Sequence, residues 1–228
     1  MDYKSDPRCN QKETISVEDM IRLTRIALIA FVSGVGATPA AAHPHVWVTV
    51  RDTVVIEHDQ ILGVQHEWTF DDMYTTMAIE GLDKNKDGKY DRGELQELAQ
   101  TNIDGLKDFE NFTYAQVAGM KVLFGQPKDY WLDHTNNVLT LHFYLPLAQP
   151  LAVSTPHFKV TVTDPSYFIG FEFDKETPFK VSKGAPTSCK TAIVQEQDDQ
   201  KDLNQAFSTQ MSPMGSGGNN TFEVTCAK

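Results

Sequence analysis

Alternation of apolar and polar residues runs through much of this chain and predicts β-strands. Residues 45–51 place Val46, Val48 and Val50 on one side of an extended segment. A period of two residues is what a strand with one buried face requires. Comparable strand patterns occupy residues 54–57, 61–70, 112–117, 121–124, 130–134, 138–145, 158–163, 167–173 and 221–226. Short strands in close succession predict an antiparallel sandwich or a curled sheet.

A helical period replaces this alternation between about residues 71 and 108. Asp71 or Asp72 offers an N-cap for a first helix. The apolar positions of that helix are Met73, Met77 and Ile79. A second helix carries a stripe at helical spacing, formed by Leu95, Leu98, Ala99, Asn102, Ile103 and Leu106. The two periods together predict an α+β fold, mainly antiparallel β, with a helix–loop–helix inserted at 71–108.

The segment between the two helices, residues 83–94, has the composition of an EF-hand calcium loop. Side-chain oxygens occupy loop positions 1, 3, 5, 9 and 12, which are Asp83, Asn85, Asp87, Asp91 and Glu94. Gly88 at position 6 permits the sharp turn, and position 7, Lys89, contributes only its backbone carbonyl. We predict a Ca²⁺ ion bound by these five side chains and the Lys89 carbonyl. The alternative is a solvated acidic turn.

The first 42 residues have the features of an export signal. An apolar run at residues 26–37 follows Arg22 and Arg25 and precedes small residues at 38–42. The run is too short to span a bilayer, so we expect no stable membrane anchor. Met20 begins a signal of ordinary length, and we interpret it as the true start. Cleavage after residue 42 would release residues 43–228 into the periplasm, and an uncleaved anchor is the alternative.

The released chain divides into a β-rich domain, residues 43–194, and a polar tail, residues 195–228. The tail has a linker composition and ends in a short strand pattern. Its cysteine, Cys226, and Cys189 form an even pair in an exported protein, which predicts a disulfide. A thiolate metal site is the competing interpretation.

Charge and motifs favour a binding role over catalysis. The formal net charge of −11 argues against nucleic acid and against anionic membrane surfaces as partners. The sequence contains no Gly-x-Ser-x-Gly elbow, phosphate loop or His-Glu-x-x-His motif. An enzyme of unknown chemistry nevertheless stays open as an alternative.

The hypothesis of a transition-metal site rests on the histidines. Cleavage after residue 42 would leave His43 with a free amine beside its imidazole, and His45 adds a second imidazole. Imidazole suits Ni²⁺, Co²⁺, Zn²⁺ and Cu²⁺, whereas a frayed terminus is the alternative. His66 lies on the apolar face of its strand, where it is either a residue of the core or a metal ligand. His142 lies on a polar face, exposed or facing a cleft.

Several segments together resemble one bacterial family of unknown function, often labelled the periplasmic component of an uncharacterised ABC-type transport system. They are residues 43–47 (HPHVW), 66–71 (HEWTFD), the loop at 83–94, 112–114 (FTY), 139–143 (LTLHF), 164–168 (DPSYF) and 185–186 (AP) before Cys189. The likeness covers about residues 43–195. Such proteins tend to be encoded beside NicO-type nickel/cobalt exporters, which implies an inner-membrane metal transporter or exporter as partner.

These observations lead to one functional hypothesis and two alternatives. We expect a periplasmic accessory protein that holds Ni, Co or Zn for a transport system and contains a structural calcium site. The candidate transition-metal ligands are His43, His45, His66 and His142. The first alternative is a copper-binding histidine-brace protein. The second is a calcium-stabilised interaction module without a transition-metal site.

Overall fold

The computed structural model describes residues 44–194 and 220–227, which form two sheets and two helices. The helices are α1 (Asp72–Ala78) and α2 (Arg92–Lys107), and a 3₁₀ turn spans Glu110–Phe112. The strands are β1 (Val46–Glu57), β2 (Gln60–Phe70), β3 (Thr113–Val117), β4 (Met120–Val122), β5 (Lys128–Thr135), β6 (Val138–Ala152), β7 (Phe158–Val162), β8 (Ile169–Phe173), β9 (Phe179–Val181), β10 (Cys189–Ile193) and β11 (Thr221–Cys226). The prediction of an α+β class, mainly antiparallel β, is confirmed.

The strands separate into a large sheet and a small sheet. The large sheet has the order β5-β6-β2-β1-β8, and β9 also pairs with β1. The small sheet has the order β10-β11-β7-β3-β4. All pairs in the two sheets are antiparallel except those of β1 with β8 and with β9, which are parallel. The last described strand, β11, therefore lies inside the small sheet rather than at its edge.

One face of the large sheet is covered by α2 and by the small sheet, and this is where the core forms. Alternate residues of β1 and β2 point into it, among them Val50 and Trp68. The α2 stripe packs on the same side through Leu95, Ala99 and Ile103, each at most 1% exposed. The opposite face of the large sheet, which carries Arg51, Glu67 and His142, is called the outer face below.

Of the three apolar positions predicted for the first helix, only Ile79 packs against the core. Met73 and Met77 are each 61% exposed, whereas Thr75 is buried. The Thr75 hydroxyl accepts the backbone N–H of Leu139 at 3.1 Å, and the Asp71 carboxylate caps the helix by accepting the Tyr74 N–H at 2.8 Å. These two bonds fix the rotation of the helix, so the methionines face outward.

Two strands, β9 and β10, were not predicted, and neither were the parallel pairs. β9 is only three residues long and β10 has little apolar alternation, so neither gives a periodic signal. Parallel neighbours are joined by long connections. A local sequence pattern therefore cannot show which edge a distant strand will join.

Cys189 and Cys226 are opposite one another on β10 and β11 and form a disulfide. This bond confirms the predicted pairing of the two cysteines. The proposed signal at 1–42, His43 and the linker at 195–219 lie outside the described residues. No helix in the described ranges is long and apolar enough to cross a membrane.

Candidate functional site

The loop at residues 83–94 joins α1 to α2 and is shaped by its own side chains. Gly88, at the position that requires a sharp turn, has a φ of +75°. That left-handed conformation is accessible to glycine without steric cost. Asp91 caps α2 by accepting the N–H groups of Gly93 at 2.7 Å and Glu94 at 3.0 Å. The end of the loop is thereby also the start of the helix.

The carboxylates of the loop accept hydrogen bonds from its own backbone. Asp83 accepts the N–H groups of Asp87 at 3.1 Å and Gly88 at 3.0 Å. The Glu94 side chain is buried and accepts the N–H of Lys84, at the other end of the loop, at 2.9 Å. One carboxylate therefore closes the first turn of the loop and another connects its two ends.

The loop contains as many basic residues, Lys84, Lys86, Lys89 and Arg92, as acidic ones, but the two sets do not pair within the described residues. None of its four carboxylates, on Asp83, Asp87, Asp91 and Glu94, takes part in an ion pair within the described residues. The described ranges also contain no group of three or more His, Cys, Asp and Glu side chains arranged to hold a metal ion. The donor chemistry fits a hard cation, with amide and backbone oxygens adding to the carboxylates.

The last residues of the loop pack on β5. The Tyr90 ring meets the His134 ring edge-on at 4.9 Å between centroids. The guanidinium carbon of Arg92 lies 4.7 Å from the centroid of the Trp131 ring, a cation–π contact. The contact between Arg92 and Trp131 links the conformation of the loop to the outer face of the large sheet.

A cleft of about 110 Å³ opens on that outer face. Four of its lining residues, Arg51, Glu67, His142 and Trp131, are register partners on β1, β2, β6 and β5. Arg51 donates to Glu67 at 3.1 Å and to Asp174 at 2.9 Å. Backbone N–H groups, chiefly that of Thr177, together with Arg51 lower the pKa of Asp174 to about 2.

His142 lies between Glu67 and Trp131 in this row, on the polar face where it was predicted, and it faces the cleft. Its Nε2 lies 2.6 Å from an Asp133 carboxylate oxygen, and its ring stacks on Trp131 at 4.7 Å. The second candidate on this sheet, His66, occupies the neighbouring register position of β2 and points to the opposite face. The two imidazoles are therefore not brought together.

His66 belongs to a polar pair inside the core. Its Nδ1 lies 2.8 Å from an Asp52 oxygen, and both side chains are fully buried. Its ring stacks on Phe143 at 4.5 Å. Burial raises the pKa of Asp52, and the charge and hydrogen bond of His66 oppose that rise. The second Asp52 oxygen is buried without a hydrogen-bond partner among the described residues.

His45 stands apart from the other two described candidates. It is exposed, lies just before β1, and donates its backbone N–H to the Phe168 carbonyl at 2.8 Å. Its ring lies 5.0 Å from the Phe168 ring. No carboxylate pairs with it in the described part of the chain, so its imidazole is open to a ligand.

Sequence reasoning did not single out Asp52, Trp131 or Asp174. For Asp52 a signal existed, because it alternates with Val50 and Val54 on a strand whose apolar face is buried. Trp131 and Asp174 gave no comparable signal, since each acquires its role from residues distant in sequence.

The fold and the loop define an α+β protein with one candidate cation-binding loop. The chain belongs to the family described as protein of unknown function (DUF1007), whose model matches residues 28–226. That match extends beyond the stretch of about 43–195 that resembled a family by sequence blocks, and it includes both cysteines of the disulfide.

Two relatives show how far the similarity reaches. An uncharacterized protein of Haemophilus influenzae is 23% identical over 162 residues, 70% of this chain and 76% of the relative. An uncharacterized 15.5 kDa protein of Spirochaeta aurantia, from the trpE 3′ region, is 30% identical over 108 residues, 46% of this chain and 76% of the relative. Neither description names an activity, so the function must be argued from the residues.

Proposed function

We propose that this chain is a periplasmic metal-binding accessory protein whose loop at 83–94 binds a structural calcium ion. The supporting observation is the set of four loop carboxylates that have no ion-pair partner in the described ranges. Glu94 carries most of the argument, because its buried carboxylate reaches from the start of α2 to the Lys84 N–H. A cation bound here would pair with these carboxylates and hold the two ends of the loop together.

The calcium site has a direct test in Glu94→Gln. The expected dissociation constant of the native loop is on the order of 10⁻⁴–10⁻³ M, the range of extracellular modules. Millimolar calcium should raise the melting temperature, because an ion that binds only the folded state stabilises it. Glu94→Gln should lose this response. Glu97→Gln, an exposed change on the same helix but outside the loop, should keep it.

Calorimetry without calcium heat, together with unchanged melting at millimolar calcium, would refute the site. A native calcium response in Glu94→Gln would do the same. In either case the loop would be a solvated acidic turn.

The transition-metal part of the proposal rests on His43 and His45. His45 is exposed and has no carboxylate partner in the described residues, whereas His66 and His142 are bonded to Asp52 and Asp133. A chain beginning at His43 would offer an amine and two imidazoles to Ni²⁺, Co²⁺ or Zn²⁺. The accessory role is to hold the metal for an inner-membrane transporter or exporter.

Three forms of the protein test whether the free amine of His43 contributes to metal binding. A chain beginning at His43 should bind the metal at least tenfold more tightly, about 1.4 kcal/mol, than a Met-extended form. The double variant His43→Ala, His45→Ala should lose that advantage and keep its calcium response. Equal affinities in all three would exclude the terminus as the site. A strong preference for copper would favour the histidine-brace alternative.

A second candidate function is a calcium-stabilised interaction module without a transition-metal site. The contact between Arg92 and Trp131 favours it, because this contact links the loop to the outer-face cleft. In that case calcium would rigidify a docking surface. Calcium binding with no affinity for Ni²⁺, Co²⁺, Zn²⁺ or Cu²⁺ would select this candidate.

A further inference from the structure

The described methionines are all on the surface, although methionine is among the residue types most often buried. Met73 and Met77 are each 61% exposed and Met120 is 68% exposed. No methionine occurs among the buried hydrophobic residues of the described ranges. Three thioethers are thus placed in solvent while leucine, valine, isoleucine and phenylalanine fill the core. A packing role does not explain these residues.

Two of the three methionines form a pair. Met73 and Met77 are four residues apart on α1, so their side chains are neighbours on one helix face, with Cβ atoms about 5–6 Å apart. Each side chain has three rotatable bonds, which lets the two sulfurs approach one ion from opposite sides. Met120, on the short strand β4, has no such neighbour in its own element.

The scaffold under the pair is firmly anchored. Tyr74 stacks on Phe70 at 4.4 Å between ring centroids, and its hydroxyl donates to the Asn102 side chain at 2.9 Å. Thr75 is buried and bonded to Leu139. These contacts hold the inward face of α1 on the core, so the methionine face has a fixed outward direction and remains open to solvent.

We propose that Met73 and Met77 form a surface site for a soft monovalent metal ion, Cu⁺ or Ag⁺. Thioethers are soft, uncharged ligands that favour Cu⁺, whereas hard cations such as Ca²⁺ prefer carboxylate and carbonyl oxygens. The site is therefore chemically separate from the loop at 83–94, and it does not depend on His43 or His45. Because both methionine residues are exposed, a bound ion would be accessible for transfer to another protein.

The test uses Ag⁺, because this ion, unlike Cu⁺, needs no reductant to stay monovalent. The protein is the full chain carrying Cys9→Ser, so that the thiol of Cys9 cannot compete for the ion. Methionine is labelled with ¹³C at the ε-methyl group, and silver nitrate is added in chloride-free buffer. The Met73 and Met77 methyl signals should shift together and saturate at one ion. The Met120 signal should stay in place.

Two matched variants separate metal binding from an apolar docking role. Met73→Leu combined with Met77→Leu preserves size and apolarity but removes both sulfurs, and it should weaken Ag⁺ binding at least tenfold. Met120→Leu should leave the affinity unchanged. Unshifted Met73 and Met77 signals would overturn the proposal. Native Ag⁺ affinity in the double variant would also overturn it, because the ligands would then lie elsewhere.

Discussion

Arg92, the first residue of α2, lies over the ring of Trp131 with its guanidinium carbon 4.7 Å from the ring centroid. The same indole ring stacks on His142, so it connects the loop at 83–94 to the cleft on the outer face. A change in the loop therefore has a short route to the cleft, by way of one aromatic side chain.

Calcium should accordingly change the fluorescence of Trp131. Ordering of the loop would fix Arg92 over the indole ring and alter its surroundings. We expect a saturable change in emission on calcium titration that disappears in Trp131→Phe. Trp47→Phe, a change of an exposed indole outside this contact, should preserve the response. A full response in Trp131→Phe would disprove the link between loop and cleft.

Removing either partner of the Asp52–His66 pair should be strongly destabilising. Both side chains are fully buried, so Asp52→Ala leaves a buried imidazole without its partner. Losses of this kind cost about 3–5 kcal/mol. Denaturant unfolding of Asp52→Ala, His66→Ala and the double variant would measure the free energy of unfolding. The double variant should lose less than the sum of the two single losses, and simple additivity would argue against the pair.

Two glycine-to-alanine changes should alter the stability of the fold in opposite directions. Gly88 has a φ of +75°, and a side chain in that conformation costs roughly 1–2 kcal/mol. Gly105 lies within α2, where an added Cβ would meet no atom within 4 Å. Gly105→Ala should therefore stabilise the fold by about 0.5–1 kcal/mol. Gly88→Ala should lower both stability and calcium affinity, as measured by thermal melting with and without calcium.

Asp174 should contribute an acid-sensitive part of the stability. Its folded pKa is lowered from 3.8 to about 2, so the folded state favours the ionised carboxylate. The contribution is complete above the unfolded pKa and is lost as pH falls toward 2. Asp174→Asn should be less stable than the native chain at pH 6 by roughly 0.2–1 kcal/mol, the range of exposed ion pairs. The difference in melting temperature should shrink as pH falls through about 2, and a constant difference would contradict this assignment.

Loss of the disulfide should lower the free energy of unfolding, because the unfolded chain gains conformational entropy when the bond is absent. Cys189 and Cys226 are 37 residues apart, and closing a loop of that length stabilises by about 4 kcal/mol in the chain-entropy treatment. The double variant Cys189→Ser, Cys226→Ser should show this loss in denaturant unfolding. Thiol labelling of the native protein tests the premise, because labelling of both cysteines without reductant would show that the bond is not formed.

Features that depend on neighbouring residues were accessible from sequence, and features that depend on distant contacts were not. The turn at Gly88 and the helix cap at Asp71 follow from local composition, and both are present. The side chain of His66 was correctly placed on a buried face, but its partner Asp52 comes from another strand. The outward direction of Met73 is set by the bond between Thr75 and Leu139, 64 residues apart.

The position of β11 between β10 and β7 has a consequence for folding during synthesis. Thr161 of β7 bonds to Thr221 of β11 across 60 residues. Until that later strand arrives, β7 has an unpaired edge, and β10 has no neighbour in its sheet. Exposed strand edges are templates for aggregation. A cell that makes this protein must therefore keep a half-built sheet from pairing with another chain until residues 221–226 are available to close it.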